Sequence, residues 1–282
     1  MTTASARVRR LGDLPRRLIT GALLAVVGLG SVVDSRLFTL LILVIALASL
    51  WELDRLSALK GQELVFPVAA GAVTIYIVFA ELGLLRRFEP ALVAATIVGA
   101  LAVSLFGSRS GYFARSAFTL LGVLYIGKLL SYFVTLRNVP VVGAEFTVGA
   151  ILLIATTDIC AMLVGSSLGR TPLSPISPRK TWEGAIGGFA AATVLGSLLV
   201  LVPSVHIPWW NGAIVGSLTS LAAQAGDLVE SAIKRDASVK DAGTGLGSHG
   251  GWLDRFDSYL FGGVAFYGAM WVTGRLPGGP QW

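Results

Sequence analysis

The sequence predicts an all-α integral membrane protein, a polytopic helical bundle of about nine transmembrane helices with a cytoplasmic N-terminus and an external C-terminus. Three observations carry this. Of 282 residues, 54% are hydrophobic and only 13% charged, against about 25% charged in a soluble domain. The mean hydropathy is +0.76. The apolar runs are continuous rather than alternating, which fits helices and not barrel strands. A water-soluble globular enzyme, a disordered chain and a secreted disulfide scaffold are excluded. The single cysteine, Cys160, permits no internal disulfide and no cysteine-rich zinc site.

A spanning helix needs about 20 mostly apolar residues, because the hydrocarbon core is about 30 Å thick and a helix rises about 1.5 Å per residue. Such stretches lie near 17–33, 37–53, 64–80, 90–106, 117–136, 146–165, 184–202, 210–230 and 258–274. Arg7, Arg9, Arg10, Arg16 and Arg17 precede the first. It reads as a retained span rather than a signal peptide: it ends in Ser31, Val32, Val33 and Asp34 with no small-x-small cleavage site, and a second span follows at once. The fourth and fifth are interrupted by glycine and serine, which membrane helices tolerate.

Charge placement sets the orientation, since cytoplasmic loops collect Lys and Arg. With the N-terminus inside, the inner segments hold those five arginines, then Arg55, Lys60, Arg109, Arg115, Arg170, Arg179, Lys180, Lys234, Arg235, Lys240 and Arg255. The outer segments hold Arg36, Arg86, Arg87, Arg137 and Arg275, and Lys128 falls within a span. The net charge of +6 is therefore a topology signal, and no nucleic-acid partner is expected. Residues 1–150 read as generic transmembrane helices. Residues 151–282 read as a catalytic transmembrane region with cytoplasmic loops at 166–183 and 231–257.

The richest segment is 226–257. If the eighth span continues past the membrane, Asp227, Glu230, Ser231 and Lys234 fall on one helix face. Asp254 and Asp257, three apart, share a face where the ninth span begins. Carboxylates converging from two helices make a hard-oxygen site suited to magnesium. Between them runs a loop rich in glycine from Gly243 to Gly251, whose backbone N–H groups can approach an anion. Lys234, Arg235, Lys240, His249 and Arg255 surround it with positive charge. Together these suit a metal-bound polyphosphate. A second constellation is Ser177 to Gly184, Ser-Pro-Arg-Lys-Thr-Trp-Glu-Gly. Ser177 as N-cap and Pro178 as first helical residue predict that a helix starts here, with Arg179, Lys180 and Thr181 adding donors at a phosphate-ready N-terminus. Asp158 and Lys128 are ionisable groups inside spans, where such groups face a cavity or a partner. They are candidates to pair with each other.

Each feature has a plainer reading. Arg109, Arg115 and Arg170 read as helix-end anchors, and Trp182, Trp252 and Trp271 as interfacial anchors. A glycine-rich loop alone is usually a turn. Asp254 and Asp257 could complement a helix dipole. That leaves Asp227 and Glu230 unexplained, because carboxylates late in a helix oppose it.

The stretch Ser231, Lys234, Arg235, Lys240, Asp241 and then Leu246 to Asp257, Leu-Gly-Ser-His-Gly-Gly-Trp-Leu-Asp-Arg-Phe-Asp, resembles the signature of the phosphatidate cytidylyltransferases (CDP-diacylglycerol synthases). The 177–184 segment resembles that family's second loop, and Asp158 its intramembrane aspartate. The resemblance covers roughly 158–260. Gly247 stands where most members have proline, Met162 where an aromatic is usual, and Arg179 where lysine is.

The resemblance implies CMP transfer from CTP to phosphatidic acid, giving CDP-diacylglycerol and pyrophosphate. It implies magnesium held by Asp227, Asp254 and Asp257, and leaves open a second, monovalent or divalent cation. It implies phosphate or catalytic roles for Lys234, Arg235, Lys240, Asp241, His249 and Arg255. Asp158, Ser177, Lys180, Thr181, Glu183 and Ser231 would bind substrate. It further implies a homodimer in the lipid bilayer of a bacterial cytoplasmic membrane, where phosphatidic acid enters from the inner leaflet. Two other readings stand beside it: a transporter coupled through Asp158 and Lys128, and a cytidylyltransferase acting on a different lipid phosphate. A CDP-alcohol phosphotransferase lacks its Asp-Gly-x-x-Ala-Arg motif here.

Overall fold

The computed structural model describes residues 26–106, 111–243, 245 and 250–276. The first apolar stretch enters this range only at its end, where residues 26–31 are helical. Each of the other eight stretches forms one helix. These are α1 (Ser35–Ala58), α2 (Phe66–Glu81), α3 (Leu85–Ser104), α4 (Tyr112–Arg137), α5 (Gly143–Leu168), α6 (Trp182–Ser197), α7 (Trp209–Asp236) and α8 (Leu253–Val272). A short antiparallel hairpin, β1 (Pro172–Ser174) and β2 (Ser177–Thr181), separates α5 from α6. The fold is otherwise helical among the described residues.

Local chemistry explains several boundaries. Asp34 caps α1, its carboxylate accepting from the N–H groups of Arg36 (2.9 Å) and Leu37 (3.0 Å), as an N-cap aspartate should. Proline opens α2, where its missing N–H costs nothing. Val123–Lys128 of α4 form a π-helical turn, a widening that helices often carry at functional positions.

Among the described residues, five helices are long and apolar enough to cross a membrane: α1, α3, α4, α5 and α6, the last extended to Leu201 by a 3-10 turn. α2 is apolar but shorter. α7 and α8, which carry most of the site's acidic residues, fall outside that group. Large apolar side chains stand exposed along the bundle, among them Leu40, Val98, Ile159, Leu163 and Val194. A water-soluble fold would bury such residues.

α7 packs against α8 on one side and α6 on the other, and α5 covers α6. α1, α2 and α4 form a second group that reaches α8 through α4 and α1. The α6–α7 crossing is close because glycines face each other. A Cβ on Gly216 would overlap the Ala192 carbonyl oxygen, and one on Gly196 that of Gly212. Gly216→Ala is therefore expected to lower the thermal midpoint of the detergent-purified protein, at an overpacking cost of about 1–3 kcal/mol. Gly268→Ala, where a Cβ meets nothing within 4 Å, is expected to leave it unchanged.

Lys128 pairs with Glu89, Nζ to Oε1 2.5 Å, and lies over the Tyr132 ring at 4.4 Å. It does not pair with Asp158, the partner suggested by the sequence. Asp158 instead accepts from Ser258 Oγ at 3.2 Å. The intramembrane pair invoked for a transporter is thus not formed. Lys60 Nζ lies 3.3 Å from Asp236, which puts the α1–α2 turn at the same end of the bundle as the end of α7.

Candidate active site

The site is assembled at that end, from the last turns of α7, the first turns of α8, the hairpin and the middle of α5. α7 runs on to Asp236, so Asp227, Glu230 and Lys234 project from successive turns of one face. α8 begins at Leu253 and sets Asp257 one turn in. One oxygen each from Asp227, Glu230 and Asp257 lie within 4.8 Å of one another. Glu230 and Asp257 are buried and Asp227 partly so. Asp158 on α5 lies within electrostatic reach of Asp227 and Asp257.

Asp254 was expected among the ligands, but its oxygens have other partners. Oδ1 accepts from Lys234 Nζ (2.6 Å), and Oδ2 accepts from the backbone N–H groups of Gly251 (2.7 Å) and Ala242 (2.9 Å). Lys234 also meets Glu230, Nζ to Oε2 2.5 Å. Burial opposes charge on both Asp254 and Lys234, yet their contacts prevail. The Lys234 ammonium and the Gly251 N–H hold the Asp254 carboxyl below its usual range. Glu230 and Asp254 hold the Lys234 ammonium above its own. Asp254 thereby ties both ends of the glycine-rich segment to α7.

The hairpin corrects one expectation. The helix does not start at Ser177. Residues Ser177–Thr181 are extended and pair with β1, Ser174 opposite Ser177 and Pro172 opposite Thr181. The helix starts at Trp182, and Thr181 is its cap, Oγ1 accepting from the Gly184 N–H at 3.2 Å. Pro178, whose fixed φ suits an edge strand as well as a first helical turn, sits in the strand. Thr181→Ala is expected to cost about 1 kcal/mol of stability and Ser177→Ala almost nothing, since only a true cap satisfies helix N–H groups. Thermal melts of the two variants check this.

Glu183 accepts from the backbone N–H groups of Arg170 (3.1 Å) and Thr171 (3.2 Å), so it ties the hairpin's base to α6. The hairpin delivers Lys180 to α7, where its Nζ forms an ion pair with Asp227. The two constellations, far apart in sequence, are therefore in contact.

The remaining candidates lie around this core. Ser231 is buried on α7 and Ser177 half-buried on β2. Arg235, Lys240, Asp241 and Arg255 are exposed, with Arg235 donating to the Val239 carbonyl at 3.0 Å. His249 lies outside the described residues, as do Arg109 and the five N-terminal arginines.

Two acidic residues were missed as functional candidates. Helix periodicity puts Glu230 on the α7 face, but the ligand set implied by the family resemblance does not include it. Nothing in the sequence singles out Glu52 of α1, which stands at the end of its apolar stretch, whereas Asp158 lies well inside one. Glu52 is fully buried, and its Oε2 accepts from the Leu253 N–H at 2.9 Å.

Among the described residues, the carboxylates of Asp158, Asp227, Glu230, Asp254 and Asp257 gather around the ammonium groups of Lys180 and Lys234. Such a cluster of carboxylates, two of them buried, suits a further cation, and an all-oxygen donor set favours a hard one. Asp227, Glu230 and Asp257 have the chemistry to hold it.

The family model described as Cytidylyltransferase family matches residues 15–273. A protein of Bacillus subtilis (strain 168) named phosphatidate cytidylyltransferase is 37% identical over 258 residues, covering 88% of this chain and 94% of that protein. A Synechocystis protein of the same name is 37% identical over 186 residues, 56% of this chain and 62% of its own length. Phosphatidate cytidylyltransferase 4, chloroplastic, of Arabidopsis thaliana is 36% identical over 205 residues, 63% of this chain and 51% of its own.

Proposed function

The chain belongs to the cytidylyltransferase family, and from that premise we propose that it transfers CMP from CTP to phosphatidic acid, giving CDP-diacylglycerol and pyrophosphate. The observation that carries the reading is the meeting of Asp227, Glu230 and Asp257 with Lys180 and Lys234, at the segment 231–257 that resembles the family's signature.

The chemistry asks for what these residues offer. A phosphatidate oxygen attacks the α-phosphorus of CTP, the bond to the β-phosphate bridging oxygen breaks, and pyrophosphate leaves with that electron pair. The attacking oxygen is already anionic near neutral pH, so no strong general base is required. The difficulty is to bring two anions together and to stabilise charge on the leaving group, which calls for fixed cations. A magnesium ion held by Asp227, Glu230 and Asp257 would supply charge stabilisation of that kind. Lys180 and Lys234 stand on the same carboxylates and would share the substrate phosphates. Exposed Arg235, Lys240 and Arg255 would draw CTP to the surface, with His249 and Asp241 in the same segment. Asp254 holds the Gly251 N–H, Thr181 and Glu183 fix the end of the hairpin that carries Lys180, and Asp158, Ser177 and Ser231 would bind substrate.

The expected setting is the cytoplasmic membrane of a bacterium, with nine spans, the N-terminus inside and the C-terminus outside. The site would then lie at the inner surface, where phosphatidic acid arrives laterally and CTP from the cytosol. A homodimer is expected.

The test is transfer of label from cytidine-labelled CTP into an organic-extractable product, with purified protein, phosphatidic acid and magnesium. Label in the lipid phase supports the reading. Label only with another lipid phosphate would reassign the acceptor. No label with any lipid phosphate, from folded protein, would overturn it and bring the transporter forward.

A further inference from the structure

Glu52 lies on α1, in the half of the chain for which the sequence offered no role. An ionisable residue at the end of an apolar helix can usually reach water. Glu52 does not: its exposure is 0%. Burying a carboxylate is costly unless its oxygens are satisfied. Here Oε2 accepts one hydrogen bond, from the Leu253 N–H at 2.9 Å. Oε1 has no hydrogen-bond partner among the described residues. Apolar packing would be served better by leucine or methionine at this place.

What surrounds the carboxylate explains the cost. Three glycines of the segment between α7 and α8 close on it. A Cβ on Gly243 would stand 2.6 Å from Oε1, one on Gly245 3.0 Å from Oε1, and one on Gly251 would overlap Oε2. The glycine richness of this segment therefore has a local cause, since the backbone must pass within contact distance of a buried anion from another helix. Leu253 is the first residue of α8, where N–H groups lack helical partners. Glu52 fills one such vacancy and Asp254 takes the Gly251 N–H beside it.

We propose that Glu52 is a positioning residue for the reaction: it seats the first turn of α8 and the glycines flanking it, and through Asp254 and Lys234 it fixes the carboxylates of α7. The operative contact is the hydrogen bond from Leu253 to a side-chain oxygen, together with the volume that only glycines leave free. This rests on the cytidylyltransferase reading for its activity arm alone.

Glu52→Gln, Glu52→Ala and wild type would be purified in detergent and compared in two ways. Amide hydrogen exchange over residues 250–257 reads the seat directly. CMP transfer, with kcat and KM separated, reads its consequence. For Glu52→Ala, exchange at Leu253 should rise and kcat should fall by about 100-fold, the scale of a catalytic group displaced by about 1 Å, with KM for phosphatidic acid little changed. Glu52→Gln keeps an acceptor of the same length, so it should retain Leu253 protection and activity within about tenfold of wild type.

An active Glu52→Ala, within threefold of wild type, would overturn the proposal. So would Glu52→Gln that is inactive yet fully protected at Leu253, because the charge itself would then be acting. If wild type transfers no CMP, the functional reading fails, while the exchange arm still decides whether Glu52 seats α8.

Discussion

Asp257→Asn is expected to reduce CMP transfer at least about 1,000-fold, the scale on which essential charge-stabilising groups act, while leaving the protein folded. Asp257 is 8% exposed and lies with Asp227 and Glu230 inside one cluster of carboxylate oxygens. Its Oδ1 accepts from the Ser258 N–H at 2.7 Å, a bond the asparagine oxygen can keep. The substitution removes one negative charge from a crowded group and changes little else. Activity and stability should therefore move in opposite directions. Without magnesium, the thermal midpoint of Asp257→Asn should equal or exceed that of wild type, since like charges no longer repel. With magnesium, wild type should gain stability, by about 2.7 kcal/mol at a concentration 100 times the dissociation constant, and Asp257→Asn should not. Melts in EDTA and across a magnesium titration, run beside the label-transfer assay, measure both. A magnesium-dependent rise in Asp257→Asn equal to that of wild type would remove Asp257 from the ligand set.

Lys234→Met should be severe in both respects. Lys234 stands between Glu230 at 2.5 Å and Asp254 at 2.6 Å, and Glu230 is fully buried. Methionine fills a similar volume but strands two carboxylates. Breaking a buried ion pair by removing one partner costs about 3–5 kcal/mol, enough to threaten folding by itself. Activity should be lost as well, because among the described residues Lys234 and Lys180 are the ammonium groups on the carboxylate cluster. Lys234→Met combined with Glu230→Gln tests the stability effect. It should recover part of the thermal midpoint, since the fully buried one of the two stranded charges is gone, and thermal melts of the single and double variants measure this. Activity in the double variant would show that neither the Lys234 ammonium nor the Glu230 carboxylate is required.

Much of this molecule was legible in its sequence, for reasons that differ by element. The apolar stretches after the first each became one helix because a run of about 20 apolar residues is a local signal. Their ends were less legible. α3 begins at Leu85 and α4 at Tyr112, earlier than hydropathy alone indicates, because polar residues in a first turn still take helical backbone. Asp227, Glu230 and Lys234 share a face because helix periodicity is fixed by backbone geometry.

The start of α6 was misread because two good caps, Ser177 and Thr181, lie four residues apart. A strand pairing with Pro172–Ser174 chose between them. The partner of Lys128 was misread because Glu89 and Asp158 both lie in or beside spans. Only the packing of α3 against α4 favoured Glu89. Glu52 is not legible as a site residue because an acid at the end of an apolar stretch is ordinary, and nothing local tells that Gly243, Gly245 and Gly251 will close around it.

The sequence by itself determined the class of protein and its helices, because hydrophobicity and helix periodicity are properties of neighbours along the chain. The tertiary structure alone decided which charges meet: Lys180 with Asp227, Lys234 between Glu230 and Asp254, and Glu52 beneath the start of α8. Those contacts join residues 20 to 201 positions apart, apart from the Glu230–Lys234 turn. Coulomb attraction and hydrogen bonding act over a few ångströms of space, and only the folded bundle determines which residues come that close.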